Sequence, residues 1–265
     1  MKKLCRIQWM FLVMVCGFSL AASSQTVPNP VQMESESKGK IKLSAAISLG
    51  INYQTGNSKN GSPFVQTFAL SAMDSIKKFS LNTKHHYNQN TRKVNKEEFL
   101  GGLQFDYHPL SRFSPIARIE LYSNRVRQIN RRFSGLLGVK YFYFKHLKDN
   151  AITSEYSING AFVFENNNYS KEALLPNKSR LRLSVRPQFK QSVTKNIFLG
   201  FESFYKPDIV DFSDFISDSM FQINYVFNKN ISLLCSYRYE YDSRPATTTI
   251  KKTDTSLLAS VVLKL

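Results

Sequence analysis

The sequence predicts an all-β fold: an antiparallel up-and-down transmembrane β-barrel of about twelve strands behind a cleaved signal peptide. Three observations carry this expectation. Apolar and polar side chains alternate with a period of two through segments of ten to sixteen residues, the pattern of strands with two unlike faces. Beyond residue 24 no apolar run reaches the roughly 20 residues a membrane helix requires. The connections between segments alternate between short and long, as expected when hairpins close one rim tightly and the other loosely.

At the N-terminus, Lys2, Lys3 and Arg6 precede an apolar stretch from Trp9 to Ala22, and Ala22-Ser23-Ser24 supplies small residues for cleavage after Ser24. The apolar stretch is too short to span a bilayer as a helix. Val15 stands where lipid attachment at Cys16 would want Gly, Ala or Ser. Residues 1–24 are therefore read as signal, the polar 25–39 as a flexible periplasmic lead-in, and 40–265 as the barrel. Cleavage removes three positive charges and no negative ones, lowering the formal net charge from +17 to +14. Such a balance attracts phosphates, and export makes lipid head groups a better expectation than nucleic acid. Cys235 is the one cysteine left after cleavage, so neither an internal disulfide nor a cysteine-rich metal site is expected, and no cofactor is called for.

The first strand, 40–53, is the clearest. In IKLSAAISLGINY, Ile41, Leu43, Ala45, Ile47, Leu49, Ile51 and Tyr53 share one face, and Lys42, Ser44, Ala46, Ser48, Gly50 and Asn52 the other. Strands two and three, 63–74 and 78–90, alternate least cleanly; if they fail, the count falls to ten. Strands four to seven are placed at 95–108, 113–125, 133–146 and 151–166, with tight links at Pro109-Leu110-Ser111-Arg112 and Lys148-Asp149-Asn150. Strand eight, 179–192, sets Leu181, Leu183 and Val185 against Arg180, Arg182, Ser184 and Arg186; Pro187 inside it predicts a bulge or a misplaced boundary. Strands nine and ten fall at 196–206 and 214–227. Strand eleven, 230–242, sets Ile231, Leu233, Cys235, Tyr237 and Tyr239 against Ser232, Ser236, Arg238, Glu240 and Asp242. The last segment, DTSLLASVVLKL within 253–265, is the closing strand, expected to pair antiparallel with 40–53 and remove the final sheet edge.

Longer connections are expected at 55–62, near Thr91 and Arg127, and at 170–179, 208–214 and 244–253. Gly56 and Gly61 in the first of these read as turn residues. Strands this long exceed the five or six residues common in soluble sandwiches and suit a bilayer crossing of roughly 9–11. Periodicity alone does not say which face is inside, and a soluble lipid-binding barrel would reverse it. Tyr237, Tyr239 and Tyr241, clustered at a strand end as in an aromatic girdle, favour the membrane. An even strand number places both termini, with the short turns, on the periplasmic side of a Gram-negative outer membrane.

Several segments, in order, carry a resemblance: Thr55-Gly56-Asn57, NRRFSGLLGVKY (130–141), SFYKPDIVDFSDF (203–215), NISLLCSYRYEYDSRP (230–245) and KKTDT (251–255). Together they make the chain resemble the family labelled domain of unknown function 481, uncharacterised outer-membrane proteins that include one described as salt-induced. The resemblance implies a membrane barrel and leaves activity open. Leu265 departs from the family pattern, which ends in an aromatic residue. An outer-membrane barrel also implies the barrel-assembly machinery as a partner during insertion; a monomer is expected.

Three function classes follow. In the first, charges facing the lumen decide whether solutes pass: Glu155 and Glu165, then Arg180, Arg182, Arg186 and Lys190, then Glu202. Hairpin register brings Glu165 towards Arg180 and Arg182, Glu155 towards Lys190, and Glu202 towards Arg186. Complete pairing makes a lattice that stiffens the wall and blocks the bore; a surplus of bases makes a narrow, anion-favouring passage. In the second, basic residues in the external connections bind lipopolysaccharide or another polyanion: Arg125, Arg127, Arg131 and Arg132 foremost, with Arg92, Lys93, Lys96, Lys171, Lys178, Lys251 and Lys252. The plain alternative is solvated loop charge. The third, a lipid-modifying enzyme, is not expected. His85 and His86 are adjacent in a strand and face opposite ways, His108 and His146 lie elsewhere, and no acid or histidine set has metal-ligand spacing.

Overall fold

The computed structural model describes residues 41–57, 64–90, 93–148, 151–171 and 173–265. The signal, the lead-in and Gly61 lie outside them. Among the described residues, β1 (Lys42–Thr55), β2 (Phe64–Met73), β3 (Lys77–Asn90), β4 (Lys93–Tyr107), β5 (Phe113–Asn124) and β6 (Ile129–Lys148) form the first half of a closed sheet. The second half is β7 (Ala151–Tyr169), β8 (Lys178–Ser192), β9 (Ile197–Pro207), β10 (Phe215–Val226), β11 (Ile231–Asp242) and β12 (Thr253–Lys264). Each strand pairs antiparallel with its neighbours in sequence, and β1 pairs with β12 from Ala46↔Lys264 to Thr55↔Thr255. The last residue continues the seam, its N–H donating to the Ala45 carbonyl at 3.0 Å. Ring closure leaves no backbone edge unpaired, the condition for crossing a medium without water.

Twelve strands, not ten, result because β2 and β3 pair without a slip from Phe64↔Tyr87 to Met73↔Lys78. Pro187 produces neither a bulge nor a boundary. It keeps its place opposite Ile158 of β7. The ladder to β9 skips Arg186 and Pro187, then resumes in the same register at Gln188↔Glu202. The bulges fall elsewhere: in β4 opposite β3, and at both edges of β6, the 20-residue strand. There the extra residues re-aim side chains and tighten the local twist.

The two faces answer what periodicity could not. On β1, Ile47, Leu49 and Ile51 are exposed while Ala46, Ser48 and Asn52 are buried. On β7, Phe162 is 59% exposed and Glu165 0%. The apolar face is therefore the outer one, and the interior is polar, the polarity of a barrel bathed in acyl chains. Aromatic pairs on adjacent strands ring both ends. Phe79–Phe105, Phe113–Tyr141 and Tyr156–Phe189, with centroids 4.7–4.9 Å apart, mark one end, and Tyr205–Phe215–Tyr241 the other.

The first of these ends is the terminal rim, where β1 begins and β12 stops. Three of its turns use one device, a side-chain oxygen accepting two backbone N–H groups just ahead of it. Asp74 accepts from Ile76 and Lys77. Thr194 accepts from Asn196 and Ile197, and Asn228 from Asn230 and Ile231. At the opposite loop rim, β5 and β6 leave only 125–128 between them, shorter than expected. The connections at 208–214 and 243–252 are long.

Candidate functional site

Because register holds around the ring, alternate residues of neighbouring strands meet inside, and charges on those positions become partners. Near the loop rim they form a transverse layer. Lys84 and His86 of β3 reach Glu98 of β4 at 3.0 and 3.5 Å. On the other side of the bore, Arg238 of β11 meets Asp218 of β10 at 2.6 Å and Glu240 at 2.7 Å. Arg127, from the β5–β6 connection, joins Glu240 and, at 2.9 Å, Asp254. Glu165 of β7 takes Arg182 at 3.0 Å and Lys206 at 2.8 Å. Arg182 also donates to the Asp214 carboxylate at 2.8 Å, which Arg180 shares. Arg132 of β6 donates to Asn167 and lies over the Tyr122 ring. Buried charges are tolerable only when paired like this.

An apolar cap covers the layer. Leu100, Tyr122, Ile129, Tyr169 and Ala246 cluster there with Ala173, Leu175 and Ile250 against them. The β7–β8 and β11–β12 connections fold inward and touch, Leu174 N–H donating to the Ala246 carbonyl at 2.8 Å. The β1–β2 connection is clasped to the start of β12. Asn57 donates its N–H to Asp254 at 2.7 Å, and its amide donates to the Asp254 carboxylate and the Lys251 carbonyl, both at 2.9 Å. Gly56 permits this with φ 114°; a Cβ there would sit 2.3 Å from Asp254 Oδ1. A small space of about 10 Å³ lies among Arg127, Arg132, Tyr169, Asp242 and Ala246.

Towards the terminal rim the lumen opens into a vestibule of about 230 Å³. It runs from Lys42, Lys78 and Asp106 up to Arg118, Arg186 and Glu202. Here pairing is looser. Glu155 is shared by Lys140 at 3.1 Å and Lys190 at 3.8 Å. Glu202 takes Arg186 at 2.6 Å and the Gln188 amide at 2.6 Å. Arg118 pairs with Glu120 at 2.6 Å and lies along the wall over Gly102. Among the described residues six bases line the cavity, two more than the four acids that face them when Glu120 and Glu155 just behind it are counted.

Of the charges singled out in the sequence, Glu165 meets Arg182, but its second partner is Lys206, because Arg180 turns to Asp214. Arg125 and Arg131 are exposed. Arg127 and Arg132 are not available to an external phosphate: both turn into the barrel, Arg132 because strand alternation sets it opposite Arg131. Lys171, Lys178, Lys251 and Lys252 are exposed. Arg92, and the side chains of Lys93 and Lys96, lie outside the described residues. His86 is buried inside while His85 stands on the outer face near Tyr87; His108 contacts Tyr107 at a turn, and His146 stacks on Phe144. Sequence reading left Lys84, Glu98 and Asp218 out of the charge lattice, and Arg238 too, although it placed Arg238 on the polar face of strand eleven. All four sit on inward alternation positions, so hairpin register was the available signal.

Residues 47–265 match the family model described as "Protein of unknown function, DUF481". No curated protein matches the chain. Among solved structures, the NanC porin is similar at 10% identity and a TM-score of 0.56, covering 83% of this chain and 100% of its own. The COG4313 outer membrane channel from Pseudomonas putida F1 is similar at 10% identity and a TM-score of 0.51, covering 89% of this chain and 99% of its own. At such identities the likeness speaks for the fold.

Proposed function

Because the chain belongs to the DUF481 family, whose description leaves activity open, we propose its role from the lumen: an outer-membrane barrel giving small solutes, anions before cations, a narrow passage. The observation that carries this is the uneven filling of the bore. A basic vestibule of about 230 Å³ opens at the terminal rim and stops under a layer of ion pairs. With both termini and the tight turns periplasmic, the vestibule faces the periplasm and the capped rim faces outward. The ion-pair layer is then the constriction, and the surplus cations below it set the selectivity. Planar-bilayer recording of the purified, refolded protein tests this. Small conductance steps with a reversal potential favouring chloride in a salt gradient are expected; no channel events would make the lattice a permanent plug and the barrel a structural one.

Passage rather than catalysis is the role we propose, and the placement of His85 and His86 on opposite faces of β3, where they do not serve one substrate together, supports it. A surface role in binding lipopolysaccharide rests on the exposure of Arg125 and Arg131 at the loop rim. Changing both to Ser should lower lipopolysaccharide co-purification; unchanged recovery leaves them as solvated charge. Insertion by the barrel-assembly machinery and a monomeric state complete the proposal.

A further inference from the structure

We propose that the vestibule is a binding site for one small oxyanion, a phosphate- or carboxylate-bearing molecule that enters from the terminal rim. The inference rests on the same open vestibule as the passage reading but requires no transit. Space is the first support, since about 230 Å³ holds an inorganic phosphate with room for a short carbon skeleton. Charge is the second. Lys140 and Lys190 share the single carboxylate of Glu155, leaving one positive charge uncompensated between them.

Arrangement is the third. Arg186 spends one terminal nitrogen on Glu202, and its guanidinium is held 4.4 Å from the centroid of the Phe204 ring. A planar fork fixed against an aromatic face keeps its remaining donors oriented for an oxyanion. Arg118, lying across Gly102, brings a second guanidinium from β5, and Ser80, Asn82 and Gln104 add neutral polar groups to the same cavity. Above, most bases of the ion-pair layer already hold a carboxylate, so an anion drawn in gains less by moving further. A positively charged pocket beneath a constriction retains what it attracts.

The test is calorimetric titration of the refolded barrel with inorganic phosphate at low ionic strength. Saturable binding is expected, weakened about tenfold, the worth of one unit charge at short range in a partly solvated site, by Lys190→Gln and by Asn82→Asp. Lys190→Gln leaves Glu155 paired with Lys140, and Asn82→Asp adds one negative charge without removing a partner, so neither should prevent folding; heat-modifiable gel mobility checks this. Absence of saturable binding, or binding unchanged in both variants, overturns the site. Bilayer recording on the same samples separates the two readings. Conductance without phosphate binding sinks the site and spares passage; charge-sensitive binding without conductance supports the site and sinks passage.

Discussion

The two halves of this lumen are built by the same strands in the same register, yet one is full and the other open. Near the loop rim, opposite charges on neighbouring strands come within about 3 Å and are almost wholly buried beneath an apolar cap. Near the terminal rim, bases outnumber acids and remain around a cavity. The difference lies in charge matching. Removing a matched pair from water is bearable because each ion finds its counterion, whereas an unmatched base holds its hydration and keeps the space around it open. Polar lining alone therefore neither opens nor closes a barrel.

The strongest way to break the comparison is to unmatch one acid in each half. Glu165→Gln would leave Lys206 buried without its carboxylate and Arg182 with Asp214 alone, and should cost about 3–5 kcal/mol. Glu202→Gln, beside the solvated vestibule, should cost about 1 kcal/mol. Urea unfolding in detergent micelles, followed by gel mobility, measures both; equal losses would mean the halves do not differ as described. Next comes the clasp over the filled half. Gly56→Ala forces a side chain into a left-handed backbone and against Asp254, so a loss of about 1–3 kcal/mol is expected in the same assay. A neutral result would detach the clasp from the layer beneath it.

The smallest effect lies outside the bilayer. The Ser213 hydroxyl and N–H donate to Asp211 and hold its carboxyl below its ordinary value of 3.8. A depressed folded value stabilises above the ordinary pKa, and that contribution disappears as pH falls through the lowered one. Asp211→Asn should therefore be slightly less stable than the parent at neutral pH and converge with it in acid. A difference that grows in acid would contradict the assignment.

Strand positions were legible because alternation is a local property that survives whatever the strand packs against; the segment read as 253–265 emerges as Thr253–Lys264. Pairing within one hairpin was legible too, since register from a tight turn brings Glu202 near Arg186. What lay hidden was set by contacts far apart in sequence. Arg127 reads as a loop cation until Glu240 and Asp254, 113 and 127 positions away, turn it inward. Asp214 reads as part of a connection until that connection folds back, Asp208 N–H donating to its carbonyl, and offers its carboxylate to Arg180 and Arg182. Neither partner could be found by counting along one strand.

The seam between β1 and β12 also has a history in time. Every other neighbouring pair of strands can meet as soon as both have been delivered, but the hydroxyls of Thr55 and Thr255 meet across 200 positions of chain. Such a contact repays its loop-closure entropy last, and high contact order slows the step that depends on it. Until then the sheet carries two raw edges, each an invitation to pair with another chain. By contact order, closing the seam is expected to be the slowest event in making this barrel, with β1 held open until β12 arrives.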